Sequence, residues 1–275
     1  MKKVIMGGIT AVLLTASCWA SMPLGSDLDT AIDQLRESVR KGEMTEQDLR
    51  LEIEALARKH RDLADANLTF PTGASLPAIS PDVERCRSAL LALGKMDDKQ
   101  SLPVFEELSL SAHWIIRTCA IFGYVEVAGL MDALPFIDKI TKDSRYTRSD
   151  LFCAYRGLER LFENEHEQDI NIRRPPPVLS PAEWKKFHLF MLEKIQTSEN
   201  ESAVELMDNM LNKQLSGYST SVQRLAVVER LAQSSNEYRR KYGEPIKAEI
   251  EKVPANQRKD FRAKSELLDP ERKEE

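Results

Sequence analysis

The sequence predicts an all-α protein of helical-hairpin repeats, flanked by an N-terminal helical hairpin and a C-terminal helical region, and three observations carry that prediction. Glycine is scarce, 11 of 275 residues, while charged residues make up 30%, a balance that starves β-turns and suits helices with solvated charged faces. Helix-start signals recur, as at Ser80-Pro81 and Ser180-Pro181-Ala182-Glu183, and no stretch alternates with a two-residue period for long. A 31-residue period runs through the middle of the chain. The same composition excludes a collagen, a disulfide miniprotein and a fully disordered chain. With 42% hydrophobic residues, a chain of this length buries roughly 70–75% of its unfolded surface, enough for one or two cores. A net charge of −5 argues against a nucleic-acid coat or an anionic-membrane binder, both of which need a positive excess.

The first element is a leader. Lys2 and Lys3 precede an apolar run from Val4 to Ala16, followed by the small residues Ser17, Cys18 and Ala20, which is the layout of a secretory signal. The run is shorter than the roughly 20 residues a permanent membrane helix needs, so residues 1–20 are read as cleaved and the mature chain as beginning at Ser21. The expected location is therefore the periplasm, the cell envelope or the medium. An alternative makes Cys18 the lipidated first residue, although Thr15 stands where that signal wants a large aliphatic side chain. No later stretch is apolar enough to span a membrane. Cys86, Cys119 and Cys153 remain, an odd number with no C-x-x-C spacing, and are read as small buried hydrophobes; one bridge plus a reactive thiol, or a metal site, is the alternative.

Residues 21–66 form the N-terminal hairpin. Asp27 to Arg40 carries Leu28, Ile32, Leu35 and Val39 at helical spacing, and Thr45 to Ala66 carries Leu49, Ile53, Leu56 and Leu63. Lys41-Gly42-Glu43 stops the first helix; Thr45 with Asp48 caps the second. Residues 67–80, with two prolines, a glycine and no period, read as a linker.

The repeats occupy residues 81–164. A shift of 31 aligns Cys86, Arg117 and Arg148; Ala89, Ala120 and Leu151; Ala92, Gly123 and Ala154; Leu93, Tyr124 and Tyr155; and Met96, Val127 and Leu158. Those positions share one helical face in each copy, as a packed second helix requires. The preceding helix begins at Leu102-Pro103 in one copy and at Leu134-Pro135 in the next, so one residue is inserted in a loop.

Leu102-Pro103-Val104-Phe105-Glu106-Glu107-Leu108, followed by Trp114-Ile115-Ile116-Arg117-Thr118-Cys119-Ala120, resembles the HEAT-repeat family, with Arg117 and Ala120 matching its second-helix motif. The copy at 133–161 keeps Leu134, Pro135, Phe136, Ile140 and Arg148 but has Leu151 for Ala; the copy at 85–94 keeps Ala89 and has Cys86 in the Arg place. The spacing is shorter than the ~40-residue eukaryotic repeat, so short bacterial HEAT-like repeats are the nearer analogy. The resemblance implies an α-solenoid of stacked helix pairs that binds proteins or acts as a scaffold. Arg117 and Arg148 are then structural repeat positions that bond turns and neighbouring acids, and Ala89 and Ala120 are packing positions.

Residues 165–179, containing Arg173-Arg174-Pro175-Pro176-Pro177, read as a stiff linker; 180–253 as C-terminal helices; and 254–275 as a charged tail. Within the C-terminal helices, Ser180 caps a helix bearing Trp184, Phe187, Met191 and Ile195, and Tyr238, Tyr242, Ile246 and Ile250 form a stripe broken near Gly243 and Pro245. The 31-residue register does not extend into this half.

The chemistry search finds no H-E-x-x-H, G-x-S-x-G, G-x-G-x-x-G or P-loop. Glu163 and His166 have the spacing of a di-iron half-site, but no second pair completes it, and a solvated helix end is the simpler reading. His60 in Lys59-His60-Arg61-Asp62 reads as a charged helix face, and His188 as a boundary residue. No catalytic residue, cofactor or metal ligand is therefore assigned. The helix from His113 to Val127 is apolar nearly all round: Phe122 and Val125 lie opposite its packed face, and Leu91 occupies the Phe122 position in the preceding copy. Leu91, Phe122 and Val125 are either a partner groove or a face covered by the N-terminal hairpin or the C-terminal helices. The function expected is an exported, non-enzymatic module that binds or scaffolds a protein or peptide, with no nucleic acid. The alternatives are an envelope enzyme with a site between repeats and C-terminal helices, or a lipid-anchored assembly subunit.

Overall fold

The computed structural model describes residues 27–70, 77–162, 179–215 and 217–260. The leader with Ser21 and Cys18, the Glu163–His166 pair, the proline-rich stretch up to residue 178 and the tail beyond 260 lie outside the described residues. Helices account for 79% of the described residues, and no strand occurs among them, so the chain is all-α there. None of these helices is long and apolar enough to cross a membrane. Residues 1–176 and 177–275 form two compact units, divided within the proline run.

The first unit holds α1 (Asp27–Arg40), α2 (Glu46–Ala66), α3 (Pro81–Met96), α4 (Leu102–Leu108), α5 (Trp114–Ala128), α6 (Leu130–Lys142) and α7 (Arg148–Phe162). Local chemistry sets several starts. Thr45 and Asp48 cap α2 reciprocally, each side chain meeting the other's backbone N–H, and the Ser80 side chain accepts from Val83 with Pro81 already in the first turn. Thr147 and Asp150 exchange the same bonds at the start of α7.

The most extensive pairing in the unit is α2 with α3, while α1 touches both. The buried face of α2 runs Leu49, Ile53, Ala57, His60 and Ala64, whereas Leu63 stays 39% exposed. Small side chains explain that rotation of the stripe. Ala57 and Ala64 let α3 approach so closely that the Cys86 thiol donates to the Ala57 carbonyl at 3.3 Å.

Helix α5 lies between α3 and α7, with α4 against it and α6 following through Gly129 alone. Eleven of its 15 residues are buried. A Cβ on Gly123 would stand 2.2 Å from the ring of Phe105 on α4, and one on Gly157 of α7 would stand 3.2 Å from Val125 and 3.4 Å from Phe122. Glycine is thus what allows both neighbours to reach α5. Gly129 serves differently: at φ 76° and ψ 173° it ends α5 and begins α6 in one residue, a conformation nearly confined to glycine. Because α6 starts at Leu130, Pro135 falls inside it and not at its beginning, as the Leu-Pro pairing had implied.

The second unit holds α8 (Pro181–Thr197), α9 (Glu201–Gln214), α10 (Val222–Ala232) and α11 (Glu237–Glu251). Ser180 and Glu183 form the capping box of α8. The closest pairing is α10 with α11, where a Cβ on Gly243 would stand 2.5 Å from the Ala232 nitrogen and 2.7 Å from the Val228 oxygen. Helix α11 is continuous through Gly243 and Pro245, where a break had been expected; Pro245 is exposed, so water can serve the carbonyl its missing N–H leaves. Tyr238 is 68% exposed and does not join a buried stripe. Residues 254–260, read as the start of a charged tail, are held on α10: the Val222 N–H donates to the Lys259 carbonyl at 3.0 Å, and Gln223 donates to Asp260 at 2.6 Å.

One turn recurs in both units. Ser111 donates to Asp65 at 2.7 Å, accepts from the His113 N–H, and its carbonyl accepts from Arg117 at 3.1 Å. Ser234 donates to Glu201 at 2.6 Å, accepts from the Asn236 N–H, and its carbonyl accepts from Arg240 at 2.7 Å. His113 and Asn236 are the N-caps of α5 and α11. Thus Ser, a cap two residues on and Arg four beyond that build the same hairpin joint twice.

Candidate functional site

The predicted apolar face is closed. Phe122 and Val125 are buried, facing Gly157 of α7, and the Arg160 guanidinium lies 5.7 Å from the Phe122 ring centre. Helix α7 provides cover for this face, carrying glycine where it meets Val125 and Phe122. Leu91 is half-buried on α3. Ala89 and Ala120 are fully buried. Arg117 donates to the Ser111 and Ala112 carbonyls and to Asp150 of α7, joining a turn to a neighbouring helix; Arg148 is exposed at the start of α7.

Two clusters hold residue types that recur in nucleophilic catalysis. Asp65, Ser111 and His113 meet at the turn before α5, but Ser111 donates to Asp65 and not to the imidazole. The ring is occupied on both sides: Nδ1 accepts from the Ile115 N–H, and Nε2 donates to the Ala78 carbonyl at 3.3 Å. Burial also holds the His113 pKa below its usual value. A general base must face the nucleophile's proton, so this geometry is that of a helix cap. In the second cluster His60, buried and not on a solvated face, hydrogen-bonds Asp82 at 2.8 Å, one turn from Cys86. Burial pushes the Cys86 thiol well up, away from the reactive thiolate. Cys86, Cys119 and Cys153 are all free and buried.

In the second unit Asp208 is fully buried and accepts from Tyr218 at 2.9 Å, Tyr242 at 2.6 Å and Arg224 at 3.3 Å. Burial raises both phenols' pKa, so they remain donors. Arg239 extends this polar seam between α9 and α11 through Glu205 and Ser202. Both carboxylate oxygens of Asp208 accept from within the protein, which makes the seam a helix-to-helix lock. His188 contrasts with it. The ring is 5% exposed, stacked 5.3 Å from Trp184, and meets the Gln214 side chain without a well-formed hydrogen bond from either nitrogen. Burial lowers its pKa to about 4, so the imidazole is neutral near pH 7. Among the described residues no group of three or more His, Cys, Asp and Glu could hold a metal ion.

An open cleft remains, in the first unit, where the end of α1, the start of α2 and the end of α3 meet; it encloses about 560 Å³. Val39 and Met96 supply apolar surface, with Leu49 buried in the lining, and Arg36, Arg40 and Lys95 supply positive charge. The far wall is Asp98 and Gln100, held from beneath by buried Arg50, whose guanidinium lies 3.1 Å from Asp98 and donates to Gln100 at 3.0 Å and to Glu54 at 2.6 Å. Volumes of roughly 300–1,000 Å³ are typical of ligand sites. Sequence reasoning had placed Val39 and Leu49 in helix stripes and had not singled out the three cations. Their spacing within α1, four residues from Arg36 to Arg40, is the only local signal, since Lys95 joins them through the fold.

Compared with protein-family models, with curated proteins and with solved structures, the chain matches none.

Proposed function

We propose that this protein is an exported, non-enzymatic helical-repeat module of HEAT-like construction that binds or scaffolds a protein or peptide. The observation that carries the reading is the order of packing in the first unit: α2 with α3, α4 with α5 and α6 with α7, with α3, α5 and α7 side by side. The pair of α4 and α5 leaves an apolar face at Phe122 and Val125 that α7 of the next pair covers, and that is the logic of a stacked repeat. The recurrent Ser–cap–Arg joint extends the same construction to the second unit. Such stacks present extended surfaces at the ends and edges of their helices, and the cleft at α1, α2 and α3 is one.

Photo-crosslinking in the native cell tests the reading. A benzophenone side chain placed at Gln47 in the cleft, at Leu91 on α3 and at the exposed Lys142 on α6 samples three faces. One discrete adduct, reproducible from at least one position and recovered in the envelope fraction, is expected. Absence of a discrete adduct from all three, with the protein folded, would overturn it.

A further inference from the structure

We infer that the cleft at α1, α2 and α3 docks a peptide segment in which acidic side chains flank an aliphatic one. This rests on the binding reading above and specifies its partner's chemistry. The first ground is the inversion of charge. The chain carries a net −5, yet three cations, Arg36, Arg40 and Lys95, line this cleft against two carboxylates, Glu46 and Asp98, and buried Arg50 reaches Asp98 as well as its helix neighbour Glu54. A cationic recess on an acidic molecule concentrates acidic ligands locally that the rest of the surface repels.

The second ground is that the arginines are not committed elsewhere. Among the described residues Arg36 and Arg40 pair only with Asp33 and Glu37 of their own helix, at 3.0 and 3.2 Å, and Asp33 and the Arg40 side chain are more than 70% exposed. Exposed pairs three residues apart are weak and screened, so an incoming carboxylate exchanges for them at little cost. By contrast Arg58 and Arg61, on the flank of α2, are bound to Glu107 of α4 and have no such freedom. The third ground is the apolar surface of Val39 and Met96 in the same lining, backed by buried Leu49, which gives an aliphatic side chain somewhere to leave water. A free phosphate or simple anion would use the charges and waste the apolar surface.

The test uses the full mature chain and three fluorescein-labelled octapeptides, each with two Leu in a Gly-Ser background and either two Asp, two Lys or two Ser. Fluorescence anisotropy is expected to rank the acidic peptide at least about tenfold tighter than the basic one at low ionic strength, with the gap closing as salt rises from about 0.05 to about 0.5 M. Arg40→Glu with Lys95→Glu changes only exposed side chains, is checked by circular dichroism, and should reverse the preference. An acidic preference that survives this double reversal, a basic preference in the parent, or no binding of the acidic peptide overturns the inference. If these peptides fail while crosslinks form at Leu91 or Lys142, the binding reading stands and the assignment to this cleft does not.

Discussion

Gly243 is the position where one atom decides a helix contact. A Cβ there would meet backbone, the Ala232 nitrogen and the Val228 oxygen, which cannot turn aside as a side chain can. Gly243→Ala is expected to cost about 1–3 kcal/mol by forcing α11 from α10, read by urea denaturation. Gly94→Ala is the control, since nothing lies within 4 Å of its Cβ position and α3 is helical there; it should be neutral or stabilising by up to about 1 kcal/mol. A chemical counterpart is His188. Its folded pKa of about 4 lies below the ordinary imidazole value of 6.5, so the unfolded chain takes up the proton first. Stability should be whole above about pH 6.5, fall as the pH drops towards 4 and change no further below that, by at most about 3 kcal/mol. The difference between wild type and His188→Leu across that window isolates this ring from titrating carboxylates. Parallel pH profiles would contradict a neutral buried imidazole.

At the scale of the element, α5 carries the first unit. Its apolar character all round was readable in the sequence, and so was the need for a cover over Phe122 and Val125. What covers them was not, because Gly157 is an ordinary position in the amphipathic pattern of α7 and gains its meaning only from the closeness of Val125. Phe122→Ala should therefore cost about 3–5 kcal/mol, since a fully packed ring leaves a cavity its rigid neighbours cannot fill. A loss below about 1 kcal/mol in urea denaturation would mean that α7 does not seal this face. Helix starts were legible for a related reason: capping depends on residues three apart, as at Thr45 and Asp48 or Ser180 and Glu183, and needs no distant partner. Pro135 misled because proline in a first turn and proline inside a helix look the same in a sequence.

For the whole molecule, the proposed export makes a prediction that mass spectrometry of the native protein checks: a chain beginning at Ser21. An intact Met1 would overturn export, and a diacylated Cys18 would replace cleavage with an anchor. Fold class, helix starts and the repeat period followed from the sequence because each is a local regularity, written in residues within one or two turns of each other or in spacing along one chain. The partner of α2, the cover of α5, the acids that the Ser–cap–Arg joints bond and the cleft of Arg36, Arg40 and Lys95 did not. Each joins residues dozens of positions apart, such as Ser111 with Asp65 or Arg40 with Lys95, and depends on how closely backbones approach where an Ala or Gly permits it.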